Sequence, residues 1–442
     1  MLRKKLNNDI DFRELFKGGA IALFFKVLGV VVGYFFLWIL AQYYGTKGVG
    51  VFQTLWTLLM ILSVIGKMGF DTSIVKFIGA YKESKRSGLI SNLFHKIQRW
   101  LFIIASLLAL LLAALSEPVS QLLFETKANS NYIIFTAISL VPLVLLNYHA
   151  ESLKGLKKIF SYSIFQNGTI YIITFLFIVY FYHQGYGLKS TIWSLFIALF
   201  TLAIISYFDI KSRLPKVELA VKKQGYTNKQ LINWTLPMLF SNSLFLLMNW
   251  TDTIMLSAFL PEANVGIYAT ALKIAALNSV ILVAINSIAM PKFAELFERN
   301  EMGKFRRFVK HSTLLMFLTS LPVLIAILVF PSFLLGIFGE DFTAGKTALL
   351  ILAFGQFFST ISGSVINILN MSNRQKTARN IIAICTFINV VLNLILIPIY
   401  GINGAAIATA TSTILWNLAS VLAIYRIFGF VTYPFININK SR

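Results

Sequence analysis

Runs of about 20 apolar residues, separated by short polar stretches, recur along the whole 442-residue chain. At about 1.5 Å per residue such a run, coiled as helix, crosses the roughly 30 Å hydrocarbon core of a bilayer. The pattern predicts twelve membrane helices, over residues 18–44, 49–79, 97–115, 131–153, 159–182, 188–208, 231–259, 264–290, 312–335, 346–370, 379–399 and 402–426. The first run is longer than a cleavable h-region of about 7–15 residues and no small-residue cleavage site follows it, so it is expected to stay as a signal anchor. The longest polar connections are 209–230 and 291–312. The second reads as an amphipathic helix lying on the membrane, with Phe293, Leu296, Phe297, Phe305 and Phe308 set among Glu, Arg and Lys.

Composition sharpens the picture. The chain is 57% hydrophobic and 13% charged, with a mean hydropathy of +0.76, far from the roughly 25% charged residues of soluble domains. No soluble catalytic domain fits in what the helices leave over. Lys and Arg number 39 against 17 Asp and Glu, a net charge of +22. With the N-terminus placed in the cytoplasm, 31 of these basic residues fall on cytoplasmic segments, and only Lys47, Lys127, Lys189 and Lys346 fall on outer loops. That asymmetry sets the orientation, with both termini inside. Anionic lipid accounts for the basic face, so no nucleic acid partner is called for.

Self-comparison reveals a repeat. VGVFQT at Val49–Thr54 and VGIYAT at Val265–Thr270 match at an offset of 216. Gly185 and Gly401 keep that offset, as does LKGLKK (from Leu153) against LNMSNRQK (from Leu369). The chain is therefore expected to form two parallel-repeat six-helix lobes, 1–208 and 231–427, joined by a basic linker at 209–230 and followed by a cytoplasmic tail at 428–442. That architecture places a substrate site between lobes near the midplane.

Ionisable groups within apolar spans are expensive, at about 2.5–3.5 kcal/mol each on insertion scales, and need a reason. Lys26 shares a helix face with Gly29 and Gly33, a GxxxG pair, and either snorkels or faces the interior. Lys67 and Asp71 are four apart and can pair, whereas Lys76 is expected to reach the headgroups. Asn242, Phe245, Asn249 and Asp252 form one stripe, and Lys273 on the next helix lies at a depth that allows an ion pair with Asp252. Gln356, Thr360, Gly363, Asn367 and Asn370 repeat at helical spacing, and Thr386, Asn389 and Asn393 follow in the eleventh span. Such amides either bond between helices or line a wet cavity. Gly404, Ala408 and Ser412 read as a packing seam.

Enzyme signatures are missing. AGKT at Ala344–Thr347 lacks the leading glycine of a phosphate loop, because Glu340 stands there. His95, His149, His183 and His311 are scattered, and Cys385 is alone, so no metal site, cofactor or disulfide is expected.

Three stretches resemble the polysaccharide transporter, or O-antigen flippase, branch of the multidrug/oligosaccharidyl-lipid/polysaccharide exporter superfamily: LAQYYGTKGVGVFQ at Leu40–Gln53, DTIMLSAFLPEANVGIYATALKI at Asp252–Ile274 and NVVLNLILIPIYGINGAAIATATS at Asn389–Ser412. The resemblance covers nearly the whole chain. It implies an all-α protein of twelve helices around a central cavity, which moves an undecaprenyl-pyrophosphate-linked oligosaccharide from the inner to the outer leaflet of a bacterial or archaeal cytoplasmic membrane, alongside a polysaccharide polymerase and chain-length machinery. On that reading Lys26, Lys67 and Lys273 meet the pyrophosphate, and Asn242, Asn249, Gln356, Thr360, Asn367 and Asn389 meet sugar. Asp71, Asp252 and Glu151 are candidates for coupling to H⁺ or Na⁺. A drug or cation exporter of the same superfamily is the rival, though lysines outnumber acids within these spans. A membrane-embedded polymerase or ligase is a further alternative, which the fifteen-residue outer loop Pro331–Gly345 leaves little room for.

Overall fold

The computed structural model describes residues 10–83, 88–215 and 225–435, and every regular element among them is helical. In chain order the helices are α1 (Ile10–Lys67), α2 (Phe70–Glu83), α3 (Gly88–Ala114), α4 (Ser116–Phe124), α5 (Ser130–Gly155), α6 (Ile159–Gln166), α7 (Thr169–His183), α8 (Lys189–Arg213), α9 (Asn228–Phe259), α10 (Glu262–Ala275), α11 (Leu277–Glu298), α12 (Met302–Val329), α13 (Pro331–Gly336), α14 (Lys346–Ser362), α15 (Val365–Met371) and α16 (Gln375–Phe428). Helix covers each of the twelve expected spans. Seven helices among the described residues are long and apolar enough to cross a membrane, eight with the α6–α7 pair, which is bent by 43°. The protein is a multi-pass membrane protein. Its two longest helices each contain a non-helical glycine, Gly45 (φ 61°) and Gly401 (φ 57°). At the second the chain doubles back, since a side chain on Gly404 would strike the Leu396 carbonyl.

Several spans are broken rather than continuous. Met68 (φ 47°) and Gly69 (φ 76°) separate α1 from α2, Gly168 (φ 82°) opens α7, and Gly363 (φ 78°) divides α14 from α15. Unwound backbone at membrane depth is tolerated only where protein or a wet cavity satisfies it. At Gly363 the neighbouring groups are bonded: Thr432 Oγ1 donates to the Ser362 carbonyl at 2.8 Å, and Ser364 Oγ donates to Asn286 Oδ1.

The chain divides into two compact units, Met1–Tyr44 with Thr54–Ser243, and Gly45–Gln53 with Leu244–Arg442. The division falls inside α9; of the 209–230 segment, residues 216–224 lie outside the described residues. Within the first unit the Gly29–Gly33 face of α1 packs on the α6–α7 break. A Cβ on Gly29 would lie 3.1 Å from Asn167, and one on Gly168 would lie 2.7 Å from the Gly29 Cα. Close helix packing explains that GxxxG. Trp234 stacks on Phe77 and Tyr226 on Tyr81. The exposed Lys76 sets its ammonium 4.1 Å from the Trp234 ring centre, where the ring's π face attracts it.

The repeat is visible in the backbone. Lys157 (φ 63°) and Asn373 (φ 60°), 216 residues apart, are both left-handed, as are Gly185 (φ 79°) and Gly401. In the second unit, the repeated glycines Gly50 and Gly266 cross. A side chain on Gly50 would strike the Glu262 carbonyl, and one on Gly266 would strike the Thr46 carbonyl, each the 216-offset image of the other contact.

Two expectations for the second unit need correcting. The 291–312 segment is no surface helix: Phe293 and Phe305 are fully buried in a core cluster with Val309, Ile368, Ile424 and Phe430. Its apolar stripe finds protein rather than lipid. The expected tail also begins later, because Phe430, Val431 and Thr432 are buried, tied down by the Thr432 bond to Ser362. Residues 436–442 lie outside the described residues.

Candidate functional site

Two polar centres stand inside helices, one in each unit. In the first unit Lys67, the last residue of α1, reaches across the Met68–Gly69 break to Asp71 in the first turn of α2, at 3.1 Å. The break is fixed by packing, because a Cβ on Gly69 would lie 2.7 Å from the Thr235 carbonyl. Beside this pair α5 brings Glu151, which bonds Lys154 at 3.1 Å and feels the charges of both Lys67 and Asp71. The Lys154 ammonium lies 5.0 Å from the Tyr162 ring. Gly155 packs on Val75, so Asp71 and Glu151, each four residues earlier, stand level. The group is therefore about 6 Å from the end of α5, near one membrane face. It is charge-balanced, two lysines against two carboxylates.

The second centre is different in kind. Asp252 is 2% exposed. Tyr268 Oη donates to its Oδ2 at 3.0 Å, Asn393 Nδ2 donates to its Oδ1 at 2.6 Å, and Thr409 Oγ1 donates to Oδ2. Asn393 also donates to Asn389 Oδ1 at 3.1 Å. Asp252 is thus held in a cage of neutral donors from α10 and α16. Three donors satisfy a buried carboxylate without a second desolvated charge. A cavity of about 60 Å³ adjoins it, lined by Asp252, Leu272, Gln356, Asn389, Thr409 and Ser412. Asn393 Oδ1 is buried without a partner. The cavity thus offers a carboxylate, amide oxygens and hydroxyls, a hard-oxygen set that suits a proton or a small cation. Among the described residues no group of three or more His, Cys, Asp or Glu side chains gathers to hold a metal ion.

The remaining candidates divide. Gln356 lines the cavity and accepts from Ser279 Oγ at 2.8 Å. Thr360 turns its hydroxyl back to the Gln356 carbonyl at 3.0 Å. Asn367 lies beyond the Gly363 break, on α15, so the regular stripe expected through the tenth span is interrupted. Lys273, in the last turn of α10, stands about 16 Å from that helix's start, next to the cavity-lining Leu272. Lys26 is exposed on α1. The side chains of Asn242, Phe245 and Asn249 lie outside the described residues. Sequence spacing missed Tyr268 and Thr409 as partners of Asp252. The signal was present in the motifs, since Tyr268 sits in VGIYAT and Thr409 in an otherwise small-residue seam.

Residues 15–297 match the family described as "Polysaccharide biosynthesis protein". The chain belongs to that family. Residues 237–395, which hold Asp252, Lys273, Gln356 and Asn389, also match the MatE family. Among relatives, the "Probable low-salt glycan biosynthesis flippase Agl15" of Haloferax volcanii is 29% identical over 224 residues, 50% of this chain and 47% of that protein. The chain thus spans about half the length of this relative. Among solved structures, an inward-facing multidrug resistance MATE family transporter of the MOP superfamily superposes with a TM-score of 0.74 at 12% identity, over 89% of this chain and 94% of that one. The lipid II flippase MurJ, inward closed, superposes with a TM-score of 0.71 at 16% identity, over 92% and 87%. At these identities the likeness establishes the polysaccharide biosynthesis family member's fold alone.

Proposed function

We propose that the protein is a flippase, not an enzyme, which carries undecaprenyl-pyrophosphate-linked oligosaccharide from the inner to the outer leaflet of a cytoplasmic membrane by alternating access. Family membership over residues 15–297 carries the reading, and the relative named as a glycan biosynthesis flippase supports it. The chemistry agrees. A pyrophosphate needs cations at membrane depth, and Lys26, Lys67 and Lys273 are those available; sugar hydroxyls need amides, and Gln356 and Asn389 offer them. The polyprenyl tail stays in lipid while the headgroup passes. The basic loops face the cytoplasm together with both termini, and a polymerase takes the product outside. Asp252 is the coupling group, loading Na⁺ or H⁺ from its oxygen-lined cavity, with Asp71 and Glu151 as a second titrating pair.

The test is a proteoliposome assay with a fluorescent pyrophosphate-linked glycolipid. Lys273→Ala and Lys26→Ala are expected to slow translocation at least tenfold while the protein still inserts. Wild-type rates in the double variant sink the cationic reading. The second reading, a cation-coupled exporter of small molecules, draws on the MatE match over 237–395. Gradient-driven efflux of a small organic cation, with no glycolipid movement, would favour it.

A further inference from the structure

One side of the first unit carries a groove that the transport reading does not use. It has a volume of about 480 Å³ and runs between α3, α5 and α8, with Gln98, Phe102, Pro142, His149, Phe200 and Tyr207 among its walls. Phe102 and Phe200 are 52% and 53% exposed, so in a membrane its mouth opens on lipid. His149 and Tyr207 each lie six residues, about 9 Å, from the ends of α5 and α8, whereas Phe102 and Phe200 lie about 20 Å from the same face. The groove therefore starts at the interface and runs into the hydrocarbon.

Its interfacial end has two unusual properties. His149 is 1% exposed, and its Nδ1 is 2.9 Å from Ser206 Oγ, which donates its own proton to the Ala203 carbonyl at 3.0 Å. Nδ1 therefore carries the proton, and Nε2 is left as a buried acceptor. Nε2 and Gln98 Oε1 are both buried without a partner, so this end of the groove asks for hydrogen-bond donors. Beside it stand His95, Arg99 and Lys211, close enough for the two cations to bear on the imidazole, with Lys211 5.7 Å from the Tyr207 ring. The nearby carboxylate of Asp209 is taken by Arg213 at 2.8 Å. The rim is left basic.

We propose that this groove binds one anionic glycerophospholipid with a hydroxylated headgroup, of the phosphatidylglycerol type. The phosphate sits against Arg99 and Lys211, headgroup hydroxyls donate to His149 Nε2 and Gln98 Oε1, and an acyl chain lies along Phe102, Pro142 and Phe200. Charge complementarity selects an anion, and the pair of acceptors selects a donor-bearing headgroup. A bare polyprenyl phosphate, with no sugar attached, offers the first without the second.

Native mass spectrometry of the full chain, titrated with phosphatidylglycerol, phosphatidic acid, phosphatidylcholine and undecaprenyl phosphate, tests it. Phosphatidylglycerol is expected to bind at least tenfold tighter than phosphatidylcholine and about threefold tighter than phosphatidic acid, which lacks the hydroxyls. The exposed pair Arg99→Ala with Lys211→Ala should bring phosphatidylglycerol down to the phosphatidylcholine level. Gln98→Leu should erase only the preference over phosphatidic acid. Phosphatidylglycerol binding should weaken when Ala203→Phe narrows the groove. Equal binding of phosphatidylglycerol and phosphatidylcholine, or a preference that survives the rim variants, overturns the proposal. Tightest binding of undecaprenyl phosphate overturns it too and gives the groove to the carrier chain.

Discussion

The first unit gathers Lys67, Asp71, Glu151 and Lys154, charges that balance each other at helix ends near a membrane face. The second unit buries one carboxylate, Asp252, and surrounds it with Tyr268, Thr409 and Asn393. Both solve the problem of a charge at membrane depth, by different means. Paired charges near the interface keep some hydration, and each can be traded for an incoming ion or phosphate. A carboxylate held by neutral donors gains hydrogen bonds without adding positive charge from those donors, so a cation entering the adjoining cavity can meet a negative group. The first arrangement suits contact with substrate, and the second suits a coupling ion.

The comparison breaks most easily at Asp252. Asp252→Ala removes the acceptor shared by Tyr268, Thr409 and Asn393, and is expected to destabilise the protein by about 3 kcal/mol, read as a fall in thermal midpoint in detergent. Asp252→Asn preserves the shape and should retain most of that stability while abolishing any dependence of transport on an imposed Na⁺ or H⁺ gradient. Gradient dependence that persists in Asp252→Asn would remove the coupling role. Next in size, Asn393→Leu or Thr409→Val removes one donor each, for about 1–3 kcal/mol, and should raise the half-saturating Na⁺ or H⁺ concentration. In the first unit, Lys67→Ala takes one partner from a largely buried pair, and should cost about 1–3 kcal/mol while slowing glycolipid flipping. The swap Lys67→Asp with Asp71→Lys should restore stability but not flipping if the lysine touches substrate, and both if the pair is only structural. Smallest of all, Thr360→Val should cost about 1 kcal/mol or less, because the isosteric Val fills the same buried space and the lost hydroxyl bonded to its own helix.

The periodicity of apolar runs was enough to locate the helices, since length and hydrophobicity are local properties. The repeat was legible for the same reason: Gly185 and Gly401, Lys157 and Asn373 mark turns whose backbone demands recur. What escaped was tertiary. An amphipathic stripe such as Phe293–Phe308 reads the same whether lipid or protein covers it, and here a C-terminal strap with Phe430 covers it. Spacing along α9 and α10 set Asp252 and Lys273 at compatible depths, but only packing against α16 revealed that Asn393 and Thr409 bond Asp252. Unwinding at Gly363 was equally hidden, because a lone glycine in an apolar run signals close approach as readily as a break. Thr313 presses on that position and leaves no room for a side chain.

The crossing of Gly50 and Gly266 sets a rule for how such a sequence drifts. Each glycine is confined by the other helix's main chain, Thr46 against Gly266 and Glu262 against Gly50, and main chain cannot be mutated away. A larger residue at one position therefore has no partner whose shrinkage compensates, so the two sites cannot covary and must be held independently. Whatever else differs between the halves of this chain, at this pair of positions each half closes off the other's room for a side chain.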